Sequence, residues 1–411
     1  MSGITGRQRL PSQFWVLWTA TLINRAGGFV ILFLTIYLTT RRGFSESAAG
    51  LVIGLYGVGG ALGVTVGGHL ADRWGRRPAA LLALGSSSVV MVGLGLARAP
   101  LTIMAAALLL GAATETARPA LGAMVTDLVP GKDRMRAFST YYWAINLGFA
   151  VSAVVAGFAA QAGYFALFAG DAATTAAAAL LVAWRVKETR PEVVAGPEPE
   201  RGSFRAVLRD RVFVGFVACN LLVALVILQH ASMLPLAMIS DGLSSRTFGL
   251  VIALNGVLIV AGQMAVSRML ANRRAAYVLP LSALIIGIGF GLVAFAHSPL
   301  AYAGTVVVWT AGEMLNAPSN AALLAGLSPV SMRGRYQGAF GLSWQLASFL
   351  APTLGGAVRD HAGDAGNTVL WLGCLAVGAV AGAWSLLAAP ARDRRLGTAS
   401  AAENDLDKIK L

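Results

Sequence analysis

Five charged side chains stand inside long apolar stretches of this chain: Arg25, Glu115, Arg118, Asp171 and Glu313. A charge at the centre of a membrane helix costs roughly 2.5–3.5 kcal/mol on insertion scales, so it faces protein or water and is a functional candidate by default. Carboxylates and guanidinium groups in such places suit proton handling. A carboxylate in low dielectric favours its neutral form, and a guanidinium beside it favours the charged form. A conformational change that alternates these surroundings takes up and releases a proton. Glu115 and Arg118 are three residues apart and share a helix face. Glu313, Asn316 and Asn320 form a second stripe. Glu313 and Glu115 are therefore the expected titrating pair, with Arg118 and Arg25 as counter-charges. The alternative is a permanent Glu115–Arg118 ion pair that only orients its helix. Asp171, toward one end of its stretch, is either structural or near an exit path. Asn24, Asn146, His230, Asn255, Asn316, Asn320, Trp344 and Gln345 are expected polar or aromatic groups of a cavity wall.

The elements that must carry these residues are membrane spans. Of the 411 residues, 56% are hydrophobic and 12% charged, against roughly 25% charged in an ordinary globular chain. Apolar runs of about 20 residues, enough to cross a bilayer, recur near 14–37, 48–70, 79–97, 101–123, 137–160, 164–184, 212–236, 246–268, 276–296, 300–322, 336–358 and 368–388. The formal charge of +13 is distributed by topology and does not point to nucleic acid. Of the 32 Lys and Arg, 25 fall in the termini and in the loops after spans 2, 4, 6, 8 and 10, while Arg41, Arg42, Arg98, Arg246 and Arg359 lie on the other side. By the positive-inside tendency both termini are expected in the cytoplasm. The first apolar run is too long for a signal-peptide core.

A duplication runs through the chain at an offset of 199 residues: Pro119 with Pro318, Pro130 with Pro329, Arg134 with Arg333, Arg136 with Arg335, Gly157 with Gly356, and Asn146 with Gln345. Two six-helix bundles of the same hand are expected, over 1–184 and 212–390. A linker spans 185–211, rich in Pro, Glu and Arg, and a polar, disordered cytoplasmic tail fills 391–411. Within the linker, 203–211 predicts a short amphipathic helix with Phe204, Val207 and Leu208 toward lipid. The offset sets Glu313 opposite Thr114, one residue from Glu115, so two acids lie at similar depth. Span 2 carries Gly50, Gly54, Gly57, Gly60, Gly63 and Gly67, whose spacing lets helix backbones approach closely in lipid.

The loop after span 2 reads Gly67-Gly68-His69-Leu70-Ala71-Asp72-Arg73-Trp74-Gly75-Arg76-Arg77-Pro78. It resembles the loop between the second and third helices of the major facilitator superfamily, G-x-L-a-D-r-x-G-r-[RK]. The resemblance implies a twelve-helix, all-α fold of two pseudo-symmetric bundles that binds substrate between them near the midplane. It also implies that spans 1, 4, 7 and 10 line the cavity and that the span-2 glycines face span 11. Asp72, Arg76 and Asp127, with Arg73 and Arg77 in support, would form a conformational lock that presents the aspartate to the N-terminus of span 11. Gly312-Glu313 with Pro318, Arg333-Gly334-Arg335 and Pro352 is similar to bacterial twelve-span drug:proton antiporters, and Ala351-Pro352-Thr353-Leu354-Gly355-Gly356 resembles an antiporter motif usually found in span 5.

Nothing in the sequence supports catalysis. It has no phosphate-binding Gly-x-x-x-x-Gly-Lys loop and no metal-ligand cluster. Cys219 and Cys374 read as buried small hydrophobes. The expectation is a monomeric inner-membrane transporter without cofactors, powered by the proton gradient, that expels small amphipathic or apolar compounds. Proton-coupled uptake of a sugar, peptide or organic acid, lipid flipping, and a non-transporting membrane sensor are the alternatives.

Overall fold

A computed structural model describes residues 10–130, 133–190, 204–270, 273–329 and 332–409. Among these the regular structure is helical. Span 1 is broken into α1 (Ser12–Ala26) and α2 (Val30–Arg42), followed by α3 (Glu46–Arg73), α4 (Arg76–Leu96), α5 (Pro100–Leu128), α6 (Arg134–Ala162), α7 (Tyr164–Arg185) and the short α8 (Phe204–Arg209). Span 7 comes in three pieces, α9 (Arg211–Ile227), α10 (Gln229–Ser232) and α11 (Leu234–Ser240). Then come α12 (Ser245–Leu270), α13 (Ala275–Gly291), α14 (Pro299–Leu327), α15 (Arg333–His361) and α16 (Gly366–Ile409).

Ten of the resulting rods among the described residues are both long and apolar enough to cross a membrane. The other two are α14 and α15, of 29 residues each. Each is about 43 Å long at 1.5 Å per residue, against a hydrocarbon core of about 30 Å. Their polarity comes from Glu313, Asn316 and Asn320 on one and Ser343, Gln345 and Ser348 on the other. With these two the fold has the twelve spans expected.

The duplication is built into the helix starts. Ser12 and Arg211, Glu46 and Ser245, Arg76 and Ala275, Pro100 and Pro299, and Arg134 and Arg333 each open corresponding helices 199 residues apart. The turns before α3 and α12 follow the same offset, with Gly43 at φ 68° and Gly242 at φ 76°. Only glycine takes that left-handed conformation without steric cost. α5 and α14 both begin on proline, which suits the first helical turn because its missing N–H would be unpaired there anyway.

By internal contacts the chain forms two compact units: Met1–Val30 with Gly59–Val194, and Ile31–Val58 with Ala195–Leu411. α2 and the first half of α3 thus pack with the second unit. In the first unit Phe14, Leu17, Met124, Val125 and Val182 form a core at the basic end. In the second, Phe213, Phe216, Leu323, Tyr336 and Ala389 do the same.

α3 divides its glycines between the units. A side chain on Gly50 or Gly57 would strike the α15 backbone at Pro352 or Ser348, while one on Gly59, Gly63 or Gly67 would strike α5 at Leu108, Ala112 or Thr116. The span-11 contact expected for this face holds for its first half only. The tighter seam of its second half lies against span 4.

Three local expectations change. Val207 of α8 is buried against Phe213 and Tyr336 instead of facing lipid, because the helix folds back onto its own unit. The linker starts pinned: Lys187 N–H donates to Gln13 Oε1 at 3.0 Å, and Glu188 is held by four backbone N–H groups. Its middle, 191–203, lies outside the described residues. The backbone beyond Pro390 continues α16 to Ile409, anchored where Arg395 pairs with Asp210.

Candidate functional site

In the first unit the break in span 1 organises the site. Gly27 and Gly28 N–H groups close the end of α1 on Ile23 and Arg25 carbonyls at 3.1 and 3.2 Å. Asp171 on α7, only 5% exposed, accepts the Val30 N–H at 3.2 Å and so caps the start of α2. Ser152 on α6 donates to the Gly28 carbonyl at 3.0 Å. The broken backbone is thereby satisfied from two neighbouring helices and from α1 itself, as a membrane interior requires. Asp171 is occupied by the break and does not line the cavity beside it.

That cavity, of about 670 Å³, lies within the first unit between α1, α4, α5, α6 and α7. Four of the expected residues converge there: Asn24 and Arg25 from the last turn of α1, Glu115 and Arg118 from α5. Glu115 and Arg118 pair at 3.5 Å, with Arg118 72% and Glu115 17% exposed. Asn24 donates to Thr175 Oγ1 at 3.0 Å, and Thr21 donates to Tyr141 Oη at 3.1 Å. Asn146 lies on α6 but donates back to its own helix at Tyr142 O, 2.9 Å away, and is not among the lining side chains.

The second unit holds Glu313 in different company. Its Oε2 accepts from Asn255 Nδ2 at 2.9 Å, and the same amide nitrogen donates to Thr310 at 3.0 Å. Among the described residues its carboxylate has no cationic partner. Asn316 and Asn320 are nearly buried and tied into a side-chain chain: Asn316 to Ser282 at 3.1 Å, Asn320 to Asn316 at 2.6 Å and to Asn220 at 3.1 Å, and Asn220 to Ser343 at 2.8 Å. They border a small cleft within the second unit. His230 Nδ1 lies 2.7 Å from the Ile227 carbonyl, which makes that nitrogen the proton donor, and its ring stacks on Trp309. Its neighbour Gln229 donates to Ala351 O at 2.9 Å. Trp344 and Gln345 are half-buried on α15.

At the basic end of the first unit Arg76 joins the expected acids. It reaches Asp72 at 2.5 Å and Asp127 at 3.4 Å, and donates to the Ala71 carbonyl at 2.8 Å. Asp72 is 76% exposed, and the Arg73 side chain is exposed beside it. Arg77 reaches back to the Ala183 carbonyl at 2.6 Å. The sequence reading missed Glu188, whose carboxylate accepts the N–H groups of Arg76, Arg77, Thr189 and Arg190 at 2.8–3.1 Å. Negative charge is favoured there by the opening turn of α4. Burial works against the charged form, but those four donors outweigh it and hold the carboxyl below its ordinary value. An acid in a Pro- and Glu-rich linker gives no spacing signal for such a dock.

Also missed was a cluster at the opposite end of α3 and α15, inside the second unit. Arg359 donates to both oxygens of Glu46, at 2.5 and 2.9 Å, and to Asn367 at 2.6 Å. Asp360 accepts the N–H groups of Glu46 and Ser47 at 3.1 and 2.8 Å, capping α3. Glu46 and Ser47 lie more than 300 residues from Arg359 and Asp360, and no motif links them.

The family model of the Major Facilitator Superfamily matches residues 17–352, and the chain belongs to that superfamily. It is therefore a multi-span membrane transporter. It is 25% identical over 358 residues to the uncharacterized MFS-type transporter YqjV of Bacillus subtilis, covering 84% of this chain and 86% of that protein. It is 24% identical to a Na(+), Li(+), K(+)/H(+) antiporter of Planococcus maritimus, covering 84% and 87%. It is 23% identical to the multidrug resistance protein MdtH of Klebsiella pneumoniae, covering 85% and 88%. Among solved structures, a POT family transporter in complex with a thioalcohol-conjugated peptide superposes with a TM-score of 0.79 at 15% identity, covering 95% of this chain and 98% of that one. At that identity the likeness speaks for fold alone.

Proposed function

We propose that the chain exchanges protons for small amphipathic compounds by alternating access and so expels them. The observation that carries this is Glu313, whose carboxylate is hydrogen-bonded to a neutral amide and, among the described residues, has no guanidinium to hold its charge. Asn255 donates to that oxygen whether the acid is ionised or protonated, so a proton comes and goes without breaking the contact. Glu115, paired with Arg118, is the weaker carrier. Relatives named for cation/proton antiport and for multidrug resistance support the reading. Arg76 with Asp72 and Asp127 is the proposed lock that steadies one state of the cycle.

A second reading is proton-coupled uptake of an organic acid, favoured by the surplus of guanidinium over carboxylate in the cavity of the first unit. Solute flux in proteoliposomes under an imposed pH gradient separates the two. Movement of a compound against the proton flow, cut at least tenfold in Glu313→Gln, supports exchange. Movement with the proton flow turns the assignment to uptake.

A further inference from the structure

The cavity of the first unit is charged, and its charge is unbalanced. Two guanidinium groups, Arg25 and Arg118, and one carboxylate, Glu115, line it. Arg118 is half-neutralised by Glu115 at 3.5 Å. Arg25 has no carboxylate within ion-pair distance among the described residues. Asp171, behind the wall, accepts the Val30 N–H and acts on Arg25 only through space. The stem of Arg25 is fixed in place: Gly148 brings α6 so close that a side chain there would strike Arg25 Cβ and the Ala26 backbone. Glu115 Oε2 is itself buried without a hydrogen-bond partner, so the anion beside Arg118 is loosely held. The rest of the wall facing these groups includes Phe138, Tyr141 and Leu121.

The wall carries more guanidinium than carboxylate, and the solute is the group that arrives there during a cycle. We infer that the cavity takes organic anions: a carboxylate, or a head group of like charge and geometry, seated on Arg25 and joined to an apolar or aromatic body. A guanidinium presents two parallel N–H donors that match a carboxylate, and the rings and aliphatic side chains cover the body. Arg118 lends a second donor when Glu115 lets it go. Lipophilic cations, which a pocket with a lone carboxylate would attract, are repelled by this one. The inference rests on the transporter reading above, because it takes the cavity as a place where solute is held. It goes further by naming the sign of the solute's charge.

Three probes with one body test it: 4-phenylbutyrate, 4-phenylbutanamide and 4-phenylbutylamine, titrated calorimetrically into the purified full-length protein in detergent. The acid is expected to bind at least tenfold more tightly than the amide and the amine. Arg25→Gln should remove that preference, weakening acid binding at least tenfold and more than it weakens amide binding. Arg25→Lys should keep part of it, and Glu115→Gln should strengthen acid binding because it frees Arg118. The last variant removes the carboxylate's charge, keeps both arginines, and serves if Arg25→Gln fails to fold. Tightest binding of the amine, equal binding of all three, or an acid preference that survives Arg25→Gln would overturn the inference. Binding does not depend on a gradient, so the two readings fail separately. Acid bound through Arg25 but never moved by a pH gradient sinks proton coupling alone. Amine exported against protons keeps the coupling and sinks the anion site.

Discussion

At the scale of single residues, the two intramembrane glutamates differ in their partners, and under the proposed exchange that difference assigns them different roles. Glu313 meets Asn255 and Glu115 meets Arg118. Glu313→Gln should therefore lose proton-driven transport while still exchanging labelled for unlabelled solute without a gradient. Glu115→Gln should retain the gradient response. Measuring both fluxes on each variant checks this, and equal losses in the two variants would contradict it. Asp171 makes a different prediction. As the cap of α2, its replacement by Ala should lower thermal stability by about 1 kcal/mol, typical of a lost cap. Asn, which keeps an acceptor oxygen, should cost less. Glu188 gives a pH signature. Its carboxyl is held below the ordinary 4.5. A depressed folded-state value contributes stability that is present above the ordinary value and lost as pH falls through the folded one. Protease resistance of the docked linker should stay flat down to about pH 5, fall at more acid pH, and be low at every pH in Glu188→Ala.

At the scale of elements, α3 is the informative helix. Its glycines let it lie against α15 over one half and α5 over the other. Gly57→Leu should destabilise the protein by about 1–3 kcal/mol, the usual range for overpacking, because the obstacle is the α15 backbone at Ser348. Gly68→Ala, which meets open space, should be neutral in the same detergent melt. The glycine spacing was readable in the sequence, and so was the close packing it allows. Which neighbour each glycine meets was not readable, since spacing gives a face and not its partner. The same limit applies to Asn316 and Asn320. Their stripe was visible, but the bonds to Ser282 and Asn220 depend on helices far away in the chain. Glu46 and Arg359 show the extreme case, with 313 residues between them.

At the scale of the whole molecule, the duplicated helix starts show how much the sequence carried. Charge patterning and apolar runs gave twelve spans, and five scattered identities gave a repeat that five pairs of helix starts obey to the residue. The breaks in spans 1 and 7 were marked only by Gly27-Gly28 and by Gln229-His230 and Pro235, and membrane helices carry Gly and Pro without a break often enough to mask such signals. Among the described residues the two halves hold unlike chemistry, a paired acid with two arginines in one and an acid bonded to an amide in the other. Such an asymmetry fits a division of labour between holding solute and carrying the proton.

The central claim is that solute and proton move in opposite directions, and internal pH reports this most directly. Proteoliposomes loaded with a transported solute and a pH-sensitive dye are diluted into solute-free buffer without any imposed proton gradient. Exchange predicts that the lumen acidifies as the solute leaves, and that Glu313→Gln abolishes the change. A lumen that turns alkaline as the solute leaves, or that holds its pH while the solute escapes through the wild-type protein, would contradict the account.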